Sequence, residues 1–557
     1  MDYDLIIRGG TIVDGTGREA YVGDVAISAD RIVGVGSIEG DARRVFDASG
    51  LVVAPGFIDV HTHYDAQIEW DPLLTPSSWN GVTTVLAGNC GFGLAPAKPE
   101  DLDWLVGMLC RVEGMPRASL DEGLTFRGGG FADYWNRFDG RLGINIASFV
   151  THCSIRRYVM GDAASERAAT EAEIEAMKAL VRQGMKEGAI GFSSSQLRLH
   201  VGEDGREVPS NFATPAEIVA LCGVLAEFDH GAIEFIPRSG NDGPDEDDCR
   251  LIRDIWAASG KPIELAPIGY YNDWRKTVEF VDAAAAEGVR AHPMLSLNRP
   301  DFHLCLNDTA TFDDMPAIKD VLCLPLAERM QAMRDPAVRA SWREALARPG
   351  NFPIPIAGLV IETVTTAANA GLAGRPLAEV AAERGVDVVD CFIDLSLSEN
   401  LKMSFVMPMG GEHEVEWRRV NRELLANHPM VVIGSSDGGA HLNAFVGADY
   451  TTRFLSEWVP DVLPLEAAIH RLTQEPATIH GLSDRGVLNT GCKADIVCFD
   501  QQALSARPAR LVHDFPANGA RYVCDAEGYR LLVVNGRVLM EDGRHTGALP
   551  GEVIRGC

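Results

Sequence analysis

Two histidines one residue apart, His61 and His63, follow the apolar run Gly56-Phe57-Ile58-Asp59-Val60. Side chains alternate along an extended strand, so both imidazoles project from one face. Two imidazoles so placed can share one divalent cation. The same pair in an exposed loop would mean nothing; the apolar strand before it supplies the context that the motif needs. Far along the chain, Met430-Val431-Val432-Ile433-Gly434-Ser435-Ser436-Asp437 ends a second apolar run on a carboxylate. A carboxylate there can bind the cation and take a proton from water. The competing role for Asp437 is a turn cap ahead of Gly438-Gly439. His441, just beyond, either assists the site or lies on the surface.

Two other runs end on reactive groups. Gly88-Asn89-Cys90-Gly91 offers a thiol, whose thiolate is a good zinc ligand. A buried Cys that merely packs is the plain alternative. Thr151-His152-Cys153 offers His152 as a metal ligand, as a group polarising a substrate carbonyl, or as a satisfied core histidine.

These groups can meet only if the strands carrying them close into one assembly. From about Leu51 to Leu482 apolar strands alternate with Ala/Glu/Lys/Arg-rich helices, the pattern of parallel βα units. The helix predicted over 170–187 shows the signals well: Thr170 as N-cap, Glu173 three residues on, and Gly188 as the stop. Candidate strands are 52–60, 82–88, 144–151, 189–193, 232–236, 262–266, 288–294 and 430–435. About eight such units favour a closed (β/α)8 TIM-like barrel, with its chemistry at the C-terminal strand ends. Residues 98–140 and 295–428 are too long for simple loops and read as insertions. Both chain ends are instead rich in short strands bounded by Gly and Asp. The expected fold class is therefore α/β: a barrel over 55–482 plus a small β-sandwich domain built from both ends, 1–54 and 483–557.

Composition narrows the partners. The 557 residues carry a net charge of −29, and 46% are hydrophobic. The apolar content excludes a disordered chain. The charge argues against nucleic acid and anionic membrane surfaces, leaving a small-molecule substrate. No apolar run is long enough for a membrane span, and Met1-Asp2-Tyr3-Asp4 lacks a signal-peptide start. The twelve cysteines form no CxxC pair, as expected for reduced thiols and a cytoplasmic location. A homo-oligomer is compatible with all of this.

Several segments together carry a family resemblance. Val53-Ala54-Pro55-Gly56-Phe57-Ile58-Asp59-Val60-His61-Thr62-His63 resembles the first-strand signature of the amidohydrolase superfamily. Gly81-Val82-Thr83-Thr84-Val85 followed by Gly88-Asn89-Cys90-Gly91 resembles its N-acyl-D-amino-acid deacylase (D-aminoacylase) branch. Ser436-Asp437-Gly438 is similar to the last-strand aspartate motif. Arg485-Gly486-Val487-Leu488 and Lys493-Ala494-Asp495-Ile496-Val497 resemble the return into the small β-domain.

The resemblance implies a metal-dependent hydrolase of an amide C–N bond, with Asp437 as the proton acceptor. It implies that His61, His63 and Asp437 hold one metal and that Cys90 belongs to the other. The branch carries histidine ligands at the ends of strands five and six. This chain has Phe235-Ile236-Pro237-Arg238 and Leu265-Ala266-Pro267-Ile268 there. The expectation is therefore one Zn2+ per chain rather than two. Glu234 and Glu264 are the substitute ligands on offer, or else salt-bridged barrel residues. The lysine that helps hold a substrate carboxylate is also absent. Arg198 and Arg238, with His441, are the substrate-binding candidates, and Arg156 and Arg453 are further ones. A cyclic amide or carbamate hydrolase is the second reading; a barrel that binds a small molecule without turnover is the third.

Overall fold

The computed structural model describes residues 2–298, 301–307, 309–348 and 355–556. The expected 295–428 insertion thus includes 299–300, 308 and 349–354, which lie outside the described residues.

Strands and helices alternate through the middle of the chain, giving α/β architecture. Phe57–Asp59, Val82–Ala87 and Asn145–Ser148 form one parallel run. Val150–Thr151, Gly191–Ser195, Ala232–Ile236, Ile263–Ile268, Ala291–Leu295 and Val432–Ile433 form a second parallel run in that order. Only Phe149 separates the two runs at the third strand, and a parallel bridge, Thr62 to Gly438, links the first strand's end to the last one's. Side chains on both faces are buried, as expected of parallel strands covered by helices. The 170–187 helix runs Glu171–Lys186, and Thr170 and Glu173 form a reciprocal capping box.

The run expected as one strand over 52–60 is split. Val52–Pro55 lies in a different sheet from Phe57–Asp59. Gly56 is the joint: a Cβ there would sit 2.2 Å from the Thr83 side chain, so only glycine lets the chain pass. The last strand is also shorter than expected, only Val432–Ile433, because the backbone turns into left-handed φ at Ser435 and Asp437.

The two chain ends share a nine-stranded sheet. Ile496–Phe499 pairs antiparallel with Val52–Pro55, placing Val497 opposite Ala54. Leu5, Ile7, Val25, Ile27, Val53, Ile496, Cys498, Leu531 and Val533 form its separate apolar core. Polar residues weld this sheet to the third parallel strand. Arg485 Nη1 donates to Asp495 Oδ2 at 2.8 Å, and Asn145 Nδ2 donates to the same oxygen at 3.0 Å.

Within the second insertion, Phe302–Cys305, Ser404–Met407 and Val360–Thr363 form an antiparallel sheet in that order. Leu304, Phe312, Trp342, Phe392 and Phe405 give it a core of its own. The next helix, Gly411–Asn427, instead turns Trp417, Val420, Leu424 and Leu425 into the main core. The first insertion contributes the helices Leu102–Val112, Arg117–Gly123 and Phe131–Trp135.

Candidate metal centre

Alternation along the first strand's extension decides which side chains face the interior. Thr62 turns one way, and its Oγ1 donates to the Leu86 carbonyl at 2.7 Å. His61 and His63 turn the other way, with ring centroids 5.1 Å apart. The seam is stitched by two backbone bonds: Asp437 N–H to the His61 carbonyl at 3.2 Å, and His63 N–H to the Gly438 carbonyl at 2.7 Å. These bonds bring the carboxylate to the imidazoles. Asp437 Oδ1 lies 3.4 Å from His61 Nε2 and 3.9 Å from His63 Nε2.

Cys90 reaches the same point from the second strand. Its Sγ is 3.4 Å from His61 Nε2 and 3.9 Å from His63 Nε2. One ligand atom from each of His61, His63 and Cys90 falls within 4.8 Å of the others, and all three residues are buried. The resemblance divides these residues between two cations; here they gather in one group. Cys90, Ser435, Asp437 and His441 all have positive φ, which non-glycine residues adopt only when their surroundings hold them there.

The donor set fits a divalent cation. Thiolate and imidazole are ligands of zinc, and a carboxylate completes the set. Charge points the same way. Burial, with Asp59 nearby, pushes the Asp437 carboxyl up to about 7. Burial raises the Cys90 thiol well above its ordinary range, and the carboxylates Glu234, Glu113 and Asp437 add to that. Burial also drops the His61 imidazole to about 3. Left to themselves these groups are driven neutral; a cation supplies the missing positive charge.

Strands five and six present carboxylates, and both are engaged. Glu234 Oε2 accepts the Cys90 N–H at 2.8 Å, so it braces the loop that carries the thiol. Glu264 Oε2 lies 3.0 Å from His480 Nε2 in a fully buried pair.

His152 does not face the site as a free acid. Its Nδ1 is 2.7 Å from Ser194 Oγ and its Nε2 is 3.0 Å from Glu217 Oε1. Arg156 donates to the same Glu217, and all three side chains are wholly buried. With both ring nitrogens engaged, His152 sits as a buried, satisfied histidine, one of the three readings its position allowed. Replacing Glu217 by Ala should cost about 3–5 kcal/mol, because it strands a buried guanidinium. Urea denaturation of the purified variant measures this; an unchanged midpoint would remove the network from the stability of the fold.

The arginine candidates are exposed or otherwise occupied. Arg198 is exposed. Arg238 is exposed too, and its guanidinium donates to the Asn211 carbonyl at 3.0 Å. Arg453 pairs with Asp449 and Glu457. His441 does reach the site: its Nε2 is 3.9 Å from Glu113 Oε2, and its ring stacks on Phe445.

Three site residues were not read from the sequence. Glu113, 1% exposed, ends the helix Leu102–Val112 with Oε1 3.2 Å from His63 Nδ1, off the line of a hydrogen bond. His200 follows the fourth strand; its Nδ1 is 2.9 Å from Ser195 Oγ, and burial together with His441 and His61 lowers its pKa to about 3. Tyr271 follows the sixth strand, and burial and the Asp437 carboxylate raise its phenol. His200 had one visible signal, a histidine five residues beyond a strand end. Glu113 had none, since it arrives from an insertion.

A model of the amidohydrolase family matches residues 44–540. The chain is 29% identical to a D-aminoacylase of Alcaligenes xylosoxydans xylosoxydans over 562 residues, covering 99% of this chain and 97% of that one. A D-aminoacylase structure described for its binuclear metal centre, with one-metal activation and second-metal attenuation, superimposes with TM-score 0.66 at 27% identity over all of both chains. The N-acyl-D-glutamate deacylase of Bordetella bronchiseptica, solved with zinc and a phosphonate mimic of the tetrahedral intermediate, gives TM-score 0.68 at 25% identity, again over all of both chains. With a family match over most of its length, and relatives aligned along all of it, the chain belongs to the amidohydrolase family.

Proposed function

We propose that this chain hydrolyses the amide C–N bond of N-acyl amino acids, those of D configuration foremost. One observation carries the reading: His61 Nε2, His63 Nε2 and Cys90 Sγ share one buried point, with Asp437 Oδ1 3.4 Å from His61. The relatives' activities supply the substrate class. A divalent cation bound there, zinc by its donor chemistry, acts as a Lewis acid and lowers the pKa of water toward ~7.

The chain's own residues do the rest. The Asp437 side chain is 19% exposed while those of His61 and His63 are 2–3% exposed, so the carboxylate is the member of the group that meets solvent and substrate. Asp437 accepts the proton of the attacking water and returns it to the leaving nitrogen. His61 and His63 hold the centre from the dry side. Gathering of the three donors at one point favours one cation per chain. The Thr62–Gly438 bridge supports reading the two parallel runs as one closed (β/α)8 barrel, with the metal at its C-terminal rim. The nine-stranded sheet supports reading the two chain ends as one small β-domain.

Purified protein should contain about one equivalent of divalent metal, by the four-ligand pattern of such sites. It should also release free amino acid from N-acetyl-D-amino acids. Turnover of hydantoins or lactams alone would move the substrate class to cyclic amides. Absence of metal together with absence of turnover would leave a small-molecule-binding protein.

A further inference from the structure

We infer that Glu113 is a positioning residue for His63, and that docking of the inserted subdomain through the Arg111–Asp313 ion pair sets where Glu113 stands. The inference rests on the metal centre proposed above and adds to it a residue and a dependence on the insertions.

His63 presents Nε2 to Cys90 and Asp437. For Nε2 to offer a lone pair, the ring proton must sit on Nδ1. Glu113 Oε1 stands 3.2 Å from that Nδ1, off the line of a hydrogen bond, where its negative charge favours the proton on Nδ1. Neither imidazole's Nδ1 has a hydrogen-bond partner, and Glu113 is the carboxylate that approaches one of them, with Oε1 3.2 Å from that of His63. Its other oxygen faces His441 at 3.9 Å, and its backbone carbonyl accepts the His441 N–H. The next residue, Gly114, has φ +62°, and a Cβ there would lie 2.9 Å from Asn443 Oδ1. The end of this helix is thus pressed against the loop that follows Asp437.

What presses it is two residues upstream. Arg111 Nε donates to Asp313 Oδ2 at 2.9 Å, and its Nη2 donates to Oδ1. This bidentate pair is nearly dry: the Arg111 side chain is 10% exposed and that of Asp313 is fully buried. Asp313 belongs to the second insertion and Arg111 to the first. A two-pronged charged contact of this kind holds both partners in direction as well as distance. The inserted subdomain therefore grips the helix end that delivers Glu113.

The test is cation affinity, read by titrating metal-free protein with Co2+ against a competing chelator. Glu113→Gln keeps the shape and removes the charge. It should weaken Co2+ binding roughly 10–100-fold and lower kcat more than it raises KM. Glu113→Asp should recover part of the affinity. Asp313→Asn should weaken binding by a smaller factor, and should add nothing in a Glu113→Gln background. Melting curves of the metal-free proteins separate misfolding from ligand loss; if Glu113→Gln fails to fold, the comparison passes to Glu113→Asp, which then has to bind more weakly than wild type. Wild-type affinity in a folded Glu113→Gln protein overturns the role of Glu113. Full additivity of the two substitutions overturns the link to the insertion. A wild-type protein that binds no Co2+ at all sinks the metal centre itself, a different failure.

Discussion

Asp437→Asn should lower kcat for N-acyl substrates by roughly 10²–10⁴-fold, the range that general acid–base groups contribute. The variant isolates chemistry from folding for a structural reason. Asp437 has φ +50°, a left-handed conformation that Asn tolerates nearly as well as Asp. Its N–H still bonds to the His61 carbonyl, so the seam between the first and last strands survives. What is lost is an oxygen able to accept a proton beside His61 and His63. Steady-state kinetics with metal content measured on the same sample decides the matter. Full turnover by a metal-loaded Asn variant would take Asp437 out of the mechanism.

Stripping the metal with a chelator should abolish turnover and lower the melting temperature, and about one equivalent of Zn2+ should restore both. Binding to the folded state alone stabilises it by about 4 kcal/mol when free metal is ~1,000 times its dissociation constant. The physical basis is the density of buried polar groups. Asp437, Glu113 and Glu234 are each driven toward the protonated form by burial and by neighbouring carboxylates: Asp59 for Asp437, Asp437 and Asp65 for Glu113, Glu264 and Asp437 for Glu234. A cation relieves that crowding in the native state and has no assembled site in the unfolded chain. Differential scanning calorimetry of stripped and reloaded protein reads the effect. Undiminished turnover by thoroughly stripped protein would end the metal-dependent reading.

How far the site could be read ahead differs from residue to residue. His61 and His63 were legible because strand alternation is a local rule that needs no partner. The absence of histidine from Phe235-Ile236-Pro237-Arg238 and Leu265-Ala266-Pro267-Ile268 is equally plain, and it directs attention to Glu234 and Glu264. Their actual tasks, bracing Cys90 and pairing with His480, depend on which backbone or ring lies opposite across the interior. His152 stays open in the sequence for the same reason. A histidine at a strand end looks free until Ser194 and Glu217 are seen to occupy both its nitrogens. The over-long first strand reflects a limit of apolar runs, which do not reveal where a chain passes from one sheet to another. Only the contact between Gly56 and Thr83 marks that crossing.

Taken alone, the amino-acid order determined what is periodic or local: the paired imidazoles, the aspartate closing the last strand, the βα alternation, and the β-rich ends that share one sheet. Tertiary structure decided what is convergent: the thiol of Cys90 joining the histidine pair, and Glu113 arriving from a helix held by a distant aspartate. The reason is physical. A backbone repeat dictates the direction of neighbouring side chains over a few residues, whereas groups hundreds of residues apart meet only through the packing of everything between them.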